Sequence, residues 1–325
     1  MNKLNKLGLV EKLSEEMKSV IKQQEINALG ADAPSDGSYP SIRCQYQKER
    51  AFWNQGGPVM DKVLDVKVPF NNMTITARVY YPKDKEYMSC LFYIHGGGFI
   101  VGNLDTHDRI MRIMAEESQC TVIGIDYSLS PEAKFPQAIL ECITVTDYFR
   151  QHADKYQINA SSIGYAGDSA GAHIAMATFL WLRDHHQDTS FIKALVLYYG
   201  LYGLKDSRSI RLYGNELDGL TEEELKLYQD LYLSEQQDSQ SPYYCFFNND
   251  LTCGMPSCFI ASCEFDPLLD DSEALYAILK DKKVDCEYKM YPGVLHGFLH
   301  YSKMMESSKQ AIADGANYFK ERIKQ

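Results

Sequence analysis

Apolar positions along the chain follow two rhythms that alternate. Short runs with the period of two or the apolar bias of strands stand at 63–70 (VLDVKVPF), 73–81 (MTITARVYY), 90–94 (CLFYI) and 121–127 (TVIGIDY). Four more follow at 162–166 (SIGYA), 193–199 (KALVLYY), 258–263 (CFIASC) and 285–291 (DCEYKMY). From the third run onward, stretches with helical spacing separate them, at 106–118, 137–153, 170–186, 271–282 and 301–323. Pro136 suits the first residue of the second of these, where its missing N–H costs nothing. Strand–helix alternation predicts an α/β fold: a mostly parallel, eight-stranded sheet with helices on both faces. Only Asn71 and Asn72 separate the first two runs, so these are expected to pair as an antiparallel hairpin at one edge.

Two regions depart from the rhythm. Residues 1–55 precede the sheet and read as helical, with Leu4, Leu7, Leu13, Met17, Val20 and Ile21 at roughly helical spacing among charges. Residues 200–250 lie between the sixth and seventh runs and are rich in tyrosine and phenylalanine. Within them, Thr221-Glu222-Glu223-Glu224 matches a capping box and predicts a helix running to about Tyr232. We expect a single domain over 1–325, with both regions folding over one end of the sheet as a helical cap.

The 325 residues carry a net charge of −11 and no long Lys/Arg run, which argues against a nucleic-acid partner. The N-terminal stretch lacks a continuous apolar segment, so it reads as an amphipathic helix rather than a signal peptide. No stretch approaches the length needed to cross a bilayer, and no membrane partner is expected. Nine scattered cysteines without a C-x-x-C pair fit a reducing cytoplasm. A zinc site on Cys253, Cys258 and Cys263 has the wrong spacing and no nearby histidine.

The chemistry concentrates in two glycine clusters. GYAGDSAGAHIA, residues 164–175, joins the fifth strand run to a helical stretch and sets Ser169 between glycines. A five-residue G-x-S-x-G match arises by chance about 0.1 times in a chain of this composition, so context must carry it. A strand turning sharply into a helix lifts a serine hydroxyl clear of the sheet and places it at a helix N-terminus, where developing negative charge is favoured. The second cluster is His95-Gly96-Gly97-Gly98-Phe99, at the end of the third strand run, and HGGG arises by chance only about 0.002 times. Consecutive glycines leave backbone N–H groups open to a tetrahedral oxyanion, and Gly97, Gly98 and Ala170 are the expected donors. No G-K-[ST] follows, which disfavours a phosphate loop.

A serine nucleophile needs a base, and the base an orienting acid. Of the eight histidines, His296 (YPGVLHGF) falls in the loop after the last strand run. His173 lies on the helix after Ser169, His107 and His152 in or beside other helices, and His185–His186 at a charged helix end. His300 could pair with His296 as H-x-x-x-H, yet no glutamate follows His296 and no third ligand is evident, so no metal is expected. For the acid, Asp266 directly follows the seventh run and is stiffened by Pro267. Glu264 is the weaker alternative, and Asp270 and Asp271 are expected to cap the next helix. The order Ser169…Asp266…His296 agrees with that of α/β-hydrolases.

HGGGF, GDSAG, DYSLSPEAKFPQA (126–138), EFDPL and YPGVLHGF together resemble the hormone-sensitive-lipase-like branch of the α/β-hydrolases. That resemblance implies a serine carboxylesterase without cofactor, with Ser169, Asp266 and His296 as triad and Gly96, Gly97 and Gly98 as oxyanion motif. An enterobacterial member, similar from Leu91 to Met305, implies short-chain, acetyl-type esters as substrates. It also implies a homodimer and protein partners, namely a maltose-regulon activator and a galactosidase. The alternative it raises is a regulatory protein on a hydrolase scaffold. Ser128, Ser130 and Ala172 depart from the branch's usual Arg, Ala and Gly.

Overall fold

The structure, a computed structural model, describes residues 6–29, 36–83, 88–214, 217 and 220–324. Strands β1 (Lys62–Phe70), β2 (Met73–Tyr81), β3 (Met88–Ile94), β4 (Thr121–Asp126), β5 (Ile158–Asp168), β6 (Ile192–Tyr198), β7 (Ser257–Phe265) and β8 (Cys286–Leu295) form one sheet in the order β1-β2-β4-β3-β5-β6-β7-β8. β1 and β2 pair antiparallel at the edge, with Phe70 opposite Met73, as the two-residue link requires. β2 is antiparallel to β4, and every pair from β4 through β3 to β8 is parallel.

The helices are α1 (Glu15–Leu29), α2 (Tyr39–Trp53), α3 (Asp108–Ser118), α4 (Gln137–Gln151), α5 (Ala153–Tyr156), α6 (Ala170–Asp184), α7 (Arg208–Leu212), α8 (Glu222–Tyr232), α9 (Leu269–Asp281) and α10 (Glu306–Arg322). Strand alternation divides the core in two. Cys90, Phe92 and Ile94 of β3 meet one face with α4, α6 and α9, while Leu91 and Tyr93 meet the other with α3 and α10. The same alternation separates Cys258 from Cys263, five residues apart on β7, and puts them in opposite cores. They cannot share a zinc ion with Cys253.

Several boundaries differ from the sequence reading for local reasons. The N-terminal helix starts at Glu15, because the Ser14 hydroxyl accepts the Met17 N–H (3.1 Å) and the Ser14 N–H is held by the Gly293 carbonyl (2.9 Å). Before it stands only a short 3₁₀ turn, Val10–Lys12, and Leu4 lies outside the described residues. The stretch 301–323 separates into a 3₁₀ turn at Phe298–Tyr301 and α10. Asp270 and Asp271 do not cap α9, whose N-cap position is Leu268. Asp270 accepts the Ser209 N–H (2.9 Å), and Asp271, fully buried, accepts the N–H groups of Tyr202, Gly203 and Leu204 at 2.6–3.2 Å. Both carboxylates therefore tie the 200–210 segment to the first turn of α9. The capping box of Thr221 and Glu224 forms at the start of α8.

Candidate active site

The site is built where three strands end. β5 stops at Asp168, Ser169 turns with φ 53° and ψ −121°, and α6 begins at Ala170. A serine in this sparsely populated conformation persists only when its surroundings hold it. Here the Ser169 N–H is bound by the Tyr198 carbonyl at the end of β6 (2.9 Å). The glycine after the elbow has a packing reason: a Cβ on Gly171 would run into the carbonyl oxygen of Ile94 on β3.

Ser169 Oγ lies 2.8 Å from His296 Nε2, and His296 Nδ1 lies 2.8 Å from Asp266 Oδ2. Asp266 is fully buried, and its other oxygen accepts the Leu268 N–H (2.7 Å), which fixes the carboxylate's rotation. The ring of Tyr199 packs against the imidazole with centroids 4.8 Å apart. Glu264 is engaged elsewhere. It sits at a register irregularity between β7 and β8 and accepts the Gly293 N–H (2.7 Å).

HGGG forms the turn after β3. Gly97 has φ +119°, and its carbonyl accepts from both Ile100 and Val101 (3.1 Å each), so that a Cβ there would strike the Val101 oxygen. Among the described residues, the N–H groups of Gly97, Gly98 and Ala170 find no backbone carbonyl in these turns. His95 is buried beneath the turn. It is stacked on Tyr127 (4.4 Å), and its Nδ1 donates to the Gly96 carbonyl (2.8 Å). Burial, reinforced by neighbouring His107, pushes its pKa down to about 3 and keeps the ring neutral.

Beneath this turn lies a network that sequence reasoning missed. Asp168 Oδ1 accepts the Gly96 N–H (3.0 Å) and the Tyr93 hydroxyl (2.7 Å), with His107 Nε2 at 3.5 Å. Burial alone would raise the Asp168 pKa, but His107, His300 and the Tyr93 hydroxyl together hold it well below the usual carboxylate range. The donor atoms of His107, Asp168 and His300 lie within 4.8 Å of one another, close enough to consider a metal. Asp168 Oδ1, however, is already committed to two hydrogen bonds. His300 thus belongs with Asp168 and His107 rather than pairing with His296, both of whose ring nitrogens are taken. The spacing of His107, Asp168 and His300 along the chain carries no signal for this group.

A cavity of about 500 Å³ opens above the serine. Its walls include Met17 and Tyr46 from the N-terminal helices and Tyr228 from α8. Tyr228 packs so closely on Gly98 that a Cβ there would come within 2.9 Å of its ring.

Residues 91–300 match a family described as having the alpha/beta hydrolase fold, and the chain belongs to that family, in the hormone-sensitive-lipase-like branch. It is 51% identical to the acetyl esterase of Salmonella agona over 321 residues, 98% of each chain, and equally to that of Salmonella typhi. Among solved structures it is similar to the hyperthermophilic esterase of Pyrobaculum calidifontis, with 31% identity, a TM-score of 0.87, and coverage of 95% of this chain and 98% of that one. These relatives and the fold make the chain a serine carboxylesterase, an enzyme acting on small-molecule esters. Among the described residues no helix is long and apolar enough to cross a membrane.

Proposed function

We propose that Ser169 is the nucleophile of this esterase, His296 its base and Asp266 the orienting acid. The observation that carries this reading is the unbroken chain of two 2.8 Å contacts from Ser169 through His296 to a buried carboxylate. Ser169 Oγ attacks the acyl carbon and its proton passes to His296 Nε2, while Nδ1–H donates to Asp266. The N–H groups of Gly97, Gly98 and Ala170 take up the charge on the carbonyl oxygen, and Gly96 holds the turn against Asp168. The protonated imidazole then gives its proton to the leaving alcohol, and water repeats the sequence to release the acid.

The preferred substrates in this reading carry short, acetyl-type acyl chains. Support comes from the acetyl esterase relatives and from Tyr228, which closes the cavity over Gly98. The segments 1–55 and 200–250, both of which contribute cavity walls, act as the cap. Each methylene that fits adds up to about 0.8 kcal/mol, and the gain ends where cap side chains must move. A p-nitrophenyl ester series from two to sixteen carbons should peak at about two to six. A maximum at ten or more, or activation by an emulsion, would refute the short-chain preference. Labelling with a fluorophosphonate should modify Ser169 alone, and modification elsewhere would remove the assignment. A cytoplasmic location, a homodimer and protein partners of the kinds named above belong to the same proposal. A pull-down with Ser169→Ala protein separates binding from catalysis.

A further inference from the structure

The cavity above Ser169 also holds a cation that ester hydrolysis does not use. Arg50 of α2 lines it together with Ser169 and His296. Its guanidinium lies over the Tyr46 ring, 4.6 Å from the centroid, and 6.0 Å from that of Tyr301. Several other arginines of the described residues are matched with carboxylates, Arg43 with Glu132, Arg78 with Asp65 and Asp105, Arg112 with Asp108, and Arg322 with Asp285, while Arg109 donates to Ser302 and to the Gln55 carbonyl. Arg50 has no such pair among the described residues, and its buried Nε has no hydrogen-bond partner. The carboxylates that share the cavity wall are engaged elsewhere: Glu49 accepts from Gln45, Glu224 closes the α8 capping box, and Asp168 accepts from the Gly96 N–H and the Tyr93 hydroxyl.

A guanidinium partly withdrawn from water without a counter-ion is costly, and stacking on tyrosine offsets only part of that cost. Its planar fork matches one ligand shape best, a carboxylate held through two parallel bonds. The placement also indicates which half of an ester would bring it. His296 must protonate the leaving alcohol, so the alcohol lies on the histidine side. From His296 the chain runs directly through Gly297 to His300, which contacts Tyr46, and to Tyr301, beside Arg50.

We propose that Arg50 forms an anion subsite for a carboxylate on the alcohol half of the substrate, making short-acyl esters of hydroxy acids the favoured class. This rests on the triad assignment above. Acetate release from 4-acetoxybutanoate and 4-acetoxybenzoate, each compared with its primary amide, tests it directly. In the wild type at least one acid should exceed its amide in kcat/KM by about tenfold or more. In Arg50→Gln that ratio should fall to about one, and Arg50→Lys should keep part of it, having the charge without the fork. Because the readout is a ratio, a general loss of activity cancels. A wild-type ratio of one or less for both pairs overturns the subsite even if the variants fail to fold, as does a ratio unchanged in Arg50→Gln. Wild-type turnover of p-nitrophenyl acetate in the same assay keeps the two readings apart. Turnover without acid preference removes only the subsite, whereas no turnover removes the hydrolase assignment as well.

Discussion

At the scale of single residues, the least expected finding is how much rests on the residue before Ser169, the proposed nucleophile. Asp168 is bound by Gly96 and Tyr93 and faces His107, so one buried charge links the elbow to the turn that would meet the oxyanion. Asp168→Asn keeps an acceptor in place but removes the charge. It should lower kcat by about 10-fold to 100-fold with a smaller change in KM, because misplaced oxyanion donors act on the transition state. Stability should fall by about 1–3 kcal/mol. Steady-state kinetics and urea unfolding of the pure variant measure both, and an unchanged kcat would mean the network is only structural. Ser169→Ala, by contrast, should reduce kcat by roughly 10³-fold or more while leaving the urea midpoint near that of the wild type. Full activity in that variant would refute the mechanism.

At the scale of elements, the elbow works because α6 and β3 approach without a side chain between them. Gly171→Ala would press a methyl against the Ile94 carbonyl, which is main chain and cannot swing aside. The variant should lose about 1–3 kcal/mol or more of stability, and kcat should drop at least about tenfold as Ser169 shifts. Gly8→Ala is the matching control, since nothing lies within 4 Å of a Cβ there. Its cost should stay within about 0.5 kcal/mol. A Gly171→Ala protein as stable and active as the control would show that the elbow tolerates the methyl. Thermal melts and p-nitrophenyl acetate kinetics distinguish the outcomes.

At the scale of the whole molecule, Asp271 couples the 200–210 segment to pH. Burial pushes its pKa up to about 7 from 3.8, against the opposing pull of three backbone N–H groups. Between these values the folded chain keeps a proton that the unfolded chain releases, so this group's contribution to stability declines as pH rises through the window. Asp168 has the opposite sign. Its depressed pKa contributes stability above the ordinary carboxylate range that is lost only in stronger acid. Asp271→Asn removes the first effect alone. The wild type should therefore lose about 1–3 kcal/mol relative to this variant between pH 4.5 and 7.5. Parallel pH–stability curves would show that the carboxylate stays ionised in its nest of N–H groups.

Strand–helix alternation and the two-residue link at Asn71–Asn72 pointed to the sheet and its antiparallel edge, and the glycine clusters pointed to Ser169, while Asp266 and His296, the other proposed members of the triad, were marked by their places after the last two strand runs. Each is a local signal: periodicity selects an element, a tight link selects a hairpin, and a strained turn selects glycine. Tertiary structure alone decided which polar groups meet across long separations. Asp168 joins Gly96 and His107 from distant loops, Asp271 binds Tyr202, Gly203 and Leu204, and Glu264 serves β8 rather than His296. Such pairings depend on how strands order themselves and how loops return over the sheet. A carboxylate's partner is set by what lies within 3 Å in space, and nothing in the spacing of Asp168 or Arg50 along the chain encodes that neighbour.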